Sequence, residues 1–436
     1  MNLLKTVGDT MLLKALILTF FSSSLLSVAF ALDGSSMERP QTRSVGLDDT
    51  QFDAPVSVSL DIPDLIPFAP ATFQHPGVLV DREQLDFVKA KVNAGDQPWN
   101  QAYNAMLTEP LSSLTRNPTP TATVECGPTS TPDIGCTNER QDALAAYAMS
   151  LAWYISGSSQ YAQKAISYMN AWAKTIRGHE LSNAPLQTGW AGAAWARAAE
   201  IIRYTNAGWA ASDITAFENM LENVYLPVVI QGSQSNGNWE LVMLEAALGI
   251  SIFLEDKNSY DIAMNKFMGR VPAYIYLRKD GDYPKSAPGS GLDTPAKIVS
   301  YWQGQSTFLA DGIAQETCRD FTHTGYGLSS ISHVAETSRI QGTDLYNGDV
   351  GERLRYGLGF HSQFQLGVAQ KPSWLCVNKQ LNLGLGPITE VGFNALHTRL
   401  GIAMTNTQAL TEKQRPAGTN LLFVGWETLT HAGNTA

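Results

Sequence analysis

The stretch Asn238 to Leu254, NWELVMLEAALGISIFL, is apolar on nearly every face. A helix of that kind belongs in a protein interior, because no face of it suits water. The segments around it carry helical spacing too, but with one apolar stripe each. SYDIAMNKFMGRVPAYIYL (259–277) follows as its partner, and GWAGAAWARAAEIIRYT (189–205) with ASDITAFENMLENVYLPVVI (211–230) precedes it as a pair.

Further out the pattern repeats. QDALAAYAMSLAWYIS (141–156) and QYAQKAISYMNAWAKTI (160–176) are joined by Gly157-Ser158-Ser159. Near the start of the ordered pattern, Asp81 caps a helix carrying Leu85, Val88 and Val92, and Gly95 stops it. Downstream come YWQGQSTFLADGIAQETC (301–318), GLSSISHVAETSRIQ (327–341), DVGERLRYGLGFHSQFQLG (349–367) and TEVGFNALHTRLGI (389–402). Strand signals are sparse. Paired helices with short turns predict an all-α fold, an (α/α) toroid of about six or seven helical hairpins, spanning residues 71–436 as one domain.

Residues 1–31 read as a secretion signal, with cations Lys5 and Lys14, the apolar core LILTFFSSSLLSVAF and the cleavage site Ala29-Phe30-Ala31. Residues 32–70 are rich in Asp, Ser and Pro and read as a linker or extended arm. No other stretch is long and apolar enough to span a bilayer, so the mature chain is expected to be exported, extracellular or periplasmic, and off the membrane. Without Lys5, Lys14 and Asp9 the chain holds 28 basic against 39 acidic residues, a net charge of −11. That balance argues against nucleic acid as a partner. An acidic polymer remains compatible where cations are focused in a cleft.

Such cations occur in Asp311 to Leu328, DGIAQETCRDFTHTGYGL. On a helix, Arg319, His323 and Tyr326 share one face, and Gly325 and Gly327 are expected to loosen it. A guanidinium that grips a carboxylate, beside an imidazole and a phenol that move protons, suits proton abstraction alpha to that carboxylate. The plain alternative is an amphipathic helix in which Arg319 pairs with Asp320 or Glu316. A second cluster, Asn236 to Glu240, stands at the mouth of the apolar helix. Asn236 or Asn238 either caps that helix or donates an amide to a substrate carboxylate. Trp239, Trp190 and Trp302 are candidate stacking walls for sugar rings, against the alternative of core packing, and Gln187 is a candidate substrate contact. Three irregular stretches, 111–135, 183–189 and 279–296, are expected near one mouth, the last as a lid.

Four cysteines in an exported chain suggest two disulfides. They allow three pairings, and locality favours Cys126–Cys136 with Cys318–Cys376. Neither H-E-x-x-H nor C-x-x-C is present, so no metal is expected.

The segments HPGVL, NGNWEL and DGIAQETCRDFTHT resemble the secreted alginate-lyase superfamily, and most of all the alginate and glucuronan lyases of polysaccharide lyase family 38. The resemblance runs from about His75 to Gly425. It implies an (α/α) toroid, no organic cofactor, and cleavage of 4-linked polyuronate by β-elimination. It also implies Arg319 and Tyr326, seven residues apart, as catalytic residues with Asn238. The residue after Asn238 is Trp239 where such lyases carry histidine, and His323 is then the available imidazole. Tyr326 is the first choice for base and acid; Tyr274, Tyr276, Tyr283 and Tyr301 are its rivals. A monomer acting on an acidic polysaccharide is expected. Two competing readings stand beside it. One is a glycoside hydrolase using a pair among Glu240, Glu245, Asp282 and Glu316; the other is a glycan-binding protein without turnover.

Overall fold

The computed structural model describes residues 65–436. The expected signal (1–31) and most of the expected arm (32–70) lie outside the described residues. The described residues form one compact unit.

In order, the helices are α1 (Arg82–Ala94), α2 (Trp99–Thr108), α3 (Cys136–Ser156), α4 (Ser159–Thr175), α5 (Ala184–Tyr204), α6 (Ala211–Met220), α7 (Leu226–Val229), α8 (Gly237–Phe253), α9 (Lys257–Arg270), α10 (Pro295–Tyr301), α11 (Phe321–Ile340), α12 (Asp349–Gln365), α13 (Glu390–Phe393), α14 (Thr405–Gln414) and α15 (Glu427–His431). The strands are short: β1 (Thr123–Cys126), β2 (Asp133–Ile134), β3 (Gly178–Glu180), β4 (Ile275–Tyr276) and β5 (Ile313–Ala314). β1 pairs antiparallel with β2 and parallel with β3, and β4 pairs antiparallel with β5.

Packing follows polarity. α8, apolar all round, is buried along its length apart from Trp239 and lies between α5 and α11. α5 in turn packs on α3, α11 on α13, α13 on α15, α15 on α1, and α1 back on α3. The contacts thus close into a ring. α4, with its single apolar stripe, packs outside on α3 and α5, as α9 does on α8 and α12 on α11. This is an (α/α) toroid, as the sequence predicts.

Two stretches depart from that prediction. Residues 302–318 are not helical: α10 ends at Tyr301, and Gly304 (φ 88°) and Gly312 (φ 92°) turn the chain into β5. A Cβ on Gly312 would fall 2.2 Å from the Tyr356 carbonyl oxygen, so only glycine fits there. Likewise α9 stops at Arg270, just before Pro272, and residues 275–276 pair as β4. Both disulfides, Cys126–Cys136 and Cys318–Cys376, are present. Among the described residues no helix is long and apolar enough to cross a membrane, and no cluster of three His, Cys, Asp or Glu is disposed to hold a metal.

Candidate active site

A cleft of about 320 Å³ opens at one end of the ring, lined by Arg140, Trp190, Trp239, Arg319, His323 and Tyr326, with Thr129, Ser130, Asn183, Leu186 and Leu422 at its rim. Among the described residues no carboxylate lines it.

Asp320 organises the central stretch. It is the N-cap of α11, its side chain accepting the His323 amide at 2.7 Å. The same carboxylate accepts a hydrogen bond from His323 Nδ1 at 2.8 Å. Burial works against the Asp320 charge, but these bonds from His323, with Arg319 nearby, hold its carboxyl below the usual range. Arg319 is not on the helix. It lies in the turn before Asp320, yet its Nη2 reaches His323 Nε2 at 3.0 Å. Its Nη1 donates to Glu316 at 2.8 Å, and its Nε lies 3.7 Å from Asp320, so the ion pairs of the plain helix reading also exist.

Gly325 and Gly327 do not loosen α11, which runs unbroken to Ile340. They allow close packing instead: a Cβ on Gly325 would sit 2.3 Å from the Leu385 carbonyl oxygen, and one on Gly327 2.3 Å from the Tyr274 ring.

Tyr326, half-buried, packs edge-on to Trp190 and His323. Its hydroxyl has no hydrogen-bond partner among the described residues. Burial, with Asp320 nearby, pushes its phenol up, and Arg140 and Arg319 pull the other way without prevailing. The rival tyrosines are occupied elsewhere. Tyr274 is fully buried and donates to Glu316 at 3.0 Å. Tyr276 donates to the Gly281 carbonyl, and Tyr301 to that of Ser235, each at 2.7 Å. Tyr283 packs on Phe308.

Several expected contacts sit behind the cleft. Asn238 is fully buried, its amide donating to both oxygens of Glu316 at 2.7 and 2.8 Å, while its Oδ1 has no partner. Asn236 precedes α8 without capping it; its Oδ1 accepts from Gln303 and Gln315. Trp302 is core, packed edge-on to Phe308, and does not reach the cleft. Gln187 is fully buried, bonded to Glu139 and the Cys136 carbonyl, and accepts from Arg140 at 2.5 Å. It holds Arg140 instead of touching a ligand. Trp190 and Trp239 do line the cleft. The 279–296 loop does not; the stapled 111–135 loop supplies the rim through Thr129 and Ser130.

Arg140 is the residue that sequence reading missed. It lies one turn into α3, just after Cys136, and its guanidinium faces the Trp190 ring at 5.4 Å. Burial pulls its pKa below the usual arginine value. No local motif marks it, because its partners Gln187, Trp190 and Tyr326 come from other helices.

Below this layer lies another. Seven residues on, about 10 Å down each helix, Arg140 gives way to Tyr147, Trp190 to Arg197, Asn238 to Glu245 and Tyr326 to His333. Arg197 pairs with Glu245, and His333 bridges Glu245 at 2.9 Å and Glu427 at 2.6 Å, all buried. Although burial alone would lower it, the two carboxylates raise the His333 pKa. Glu240 is likewise tied to Arg270, and Glu316 to Arg319, so none of the buried glutamates faces the cleft.

The fold and site together define a helical toroid with a cationic cleft at its mouth. Residues 103–287 match the family model described as Alginate lyase. Among solved structures, alginate lyase A1-III from Sphingomonas species A1 is similar at 14% identity and a TM-score of 0.54, over 83% of this chain and 97% of that one. A variant of alginate lyase A1-III complexed with tetrasaccharide gives 14% identity and a TM-score of 0.56, over 83% and 96%. At such identity the structural likeness is one of fold. No curated protein matches the sequence. The chain thus shares the fold of those structures and, over 103–287, matches the Alginate lyase sequence pattern.

Proposed function

We propose that this protein is an exported lyase that cleaves 4-linked polyuronate, alginate or glucuronan, by β-elimination. The observation that carries the reading is a cleft with two guanidiniums, an imidazole and a phenol and no carboxylate. A glycoside hydrolase needs two facing carboxyl groups about 5–10 Å apart across its substrate, and the cleft offers none. In the proposed reaction Arg319 and Arg140 meet the uronate carboxylate and stabilise the charge that develops on it as C5 loses its proton. His323 Nε2 takes that proton, its tautomer fixed by Asp320 on Nδ1. The C5 electrons form the C4–C5 double bond, the C4–O4 bond breaks, and the Tyr326 phenol protonates the departing O4. Asn238 acts through Glu316, which sets the position of Arg319.

A second reading gives both proton transfers to Tyr326, with His323 neutralising the carboxylate. Arg140 and Arg319, which share the cleft with Tyr326 and act to lower its phenol pKa, favour it. The two separate on one variant: His323→Asn abolishes turnover in the first reading and leaves a measurable fraction in the second.

The test of the function is ultraviolet absorbance, since only elimination conjugates a new double bond to the carboxylate. Polymannuronate, polyguluronate and glucuronan are each offered to the native chain. Rising absorbance on at least one supports the lyase; reducing ends without absorbance mean hydrolysis; binding with neither means a glycan-binding protein. Export is supported by the leader-like residues 1–31 and two disulfides.

A further inference from the structure

A groove of about 710 Å³, more than twice the cleft in volume, lies on another part of the molecule between α12, the turn before β5, the loop 369–374 and the start of α14 with the two residues before it. It shares no lining residue with the cleft. α12 presents exposed Arg355, half-buried Tyr356 and Gly359, and buried Phe360 to it, and Arg278 and Trp374 line it from other segments.

Two features of this groove are unexplained by folding. The first is Gly359. Glycine inside a helix costs about 0.5–1 kcal/mol relative to alanine, and a Cβ there would meet nothing within 4 Å. Gly357, two residues earlier, is different, since a Cβ there would press on Leu328 at 3.0 Å. Packing thus requires the one glycine and not the other; Gly359 keeps the groove floor open. The second is charge. Arg278 and Arg355 are exposed, and neither guanidinium has an ion pair or hydrogen bond among the described residues, in a chain of net charge −10; that of Arg355 faces the Tyr356 ring at 5.4 Å. The one carboxylate in the lining, Asp311, accepts the Arg278 backbone N–H at 2.6 Å. Aromatic rings beside guanidiniums that carry no ion pair suit a ligand with flat apolar faces and carboxylates: pyranose rings stack on the former and carboxylates meet the latter.

We propose that this groove is a second, non-catalytic binding site for an anionic polysaccharide chain. The identity of that chain as polyuronate rests on the function proposed above. The site holds polymer on the enzyme while the cleft cuts it, so it matters for long chains and not for short ones.

The test uses the full chain carrying Tyr326→Phe, which blocks turnover, and affinity electrophoresis in gels containing a long polyuronate. Gly359→Gln fills the groove at an uncrowded position that favours helix, and Arg355→Glu reverses its charge. Retention is expected to weaken about tenfold in each, the scale of one charge-assisted contact. In chains with native Tyr326, both substitutions should leave turnover of a polyuronate tetrasaccharide unchanged. Equal retention in parent and both variants overturns the proposal, as does equal retention by a neutral polysaccharide. Failure of the lyase reading looks different: no polyuronate is cut by the native chain, while retention and its loss in Gly359→Gln persist.

Discussion

Arg319 Nη2 lies 3.0 Å from His323 Nε2, although one residue stands in a turn and the other in the first turn of α11. A guanidinium only donates, so Nε2 accepts and carries no proton. The imidazole proton then sits on Nδ1, 2.8 Å from Asp320. In the proposed reaction, arginine leaving for a substrate carboxylate exposes a ready acceptor.

Asp320→Asn tests that arrangement. Asparagine caps a helix about as well as aspartate, so the melting temperature should hardly move. The Nδ1 proton loses its charged partner, and turnover should fall by about 10² or more. A kcat within twofold of native would remove Asp320 from the mechanism.

Tyr326→Phe removes a hydroxyl that bonds to no described residue, so no buried partner is orphaned. Thermal stability should be unchanged while turnover drops about 10²–10⁴-fold. Single-turnover absorbance on the best polyuronate, with calorimetry alongside, reads both.

Glu316→Gln removes the buried charge that Arg319, Asn238 and Tyr274 share. Here stability and turnover should fall together, stability by about 1–3 kcal/mol, seen as a lower denaturant midpoint with unchanged slope.

Acid should weaken the fold in a defined window. His361 and His431 are fully buried, and burial pushes each down to about 4. A folded value below the unfolded one, near ~6.5, means stability is complete above ~6.5 and lost as pH falls through about 4. Each histidine contributes up to about 3 kcal/mol to that loss. Glu336 is opposed by burial but held down to about 2 by Arg399 and Arg339, and its share is lost at lower pH, on falling from about 4.5 toward 2. Urea midpoints from pH 7 to 4 should decline, and His361→Gln, which keeps a donor and an acceptor, should flatten the decline.

The inner helices were readable because α8 has no polar face, and a helix without one has a single place to go. Arg319, His323 and Tyr326 were readable because they are local in sequence and end up in one cleft. Arg140 was not, since what makes it part of the site is contact with α5 and α11. Trp302 and Gln187 carry the same chemistry as cleft residues, and only their burial separates them. The 279–296 loop has the composition of a lid but lies away from the mouth; composition reports mobility and turn content, never position. Residues 302–318 show the converse, a helical pattern overruled by Gly304 and Gly312 at positive φ.

The rows of residues spaced seven apart on α3, α5, α8 and α11 bind the cleft to the charges beneath it. Sliding α5 by a single residue would take Trp190 from Tyr326 and, in the same movement, Arg197 from Glu245. Such a shift breaks a buried ion pair, a loss of about 3–5 kcal/mol, so the four helices are denied small adjustments of register. Thr129, Ser130 and Leu422 carry no such linkage. If the proposed function holds, the choice of sugar acid is therefore open to change by editing the rim, while the interior stays frozen.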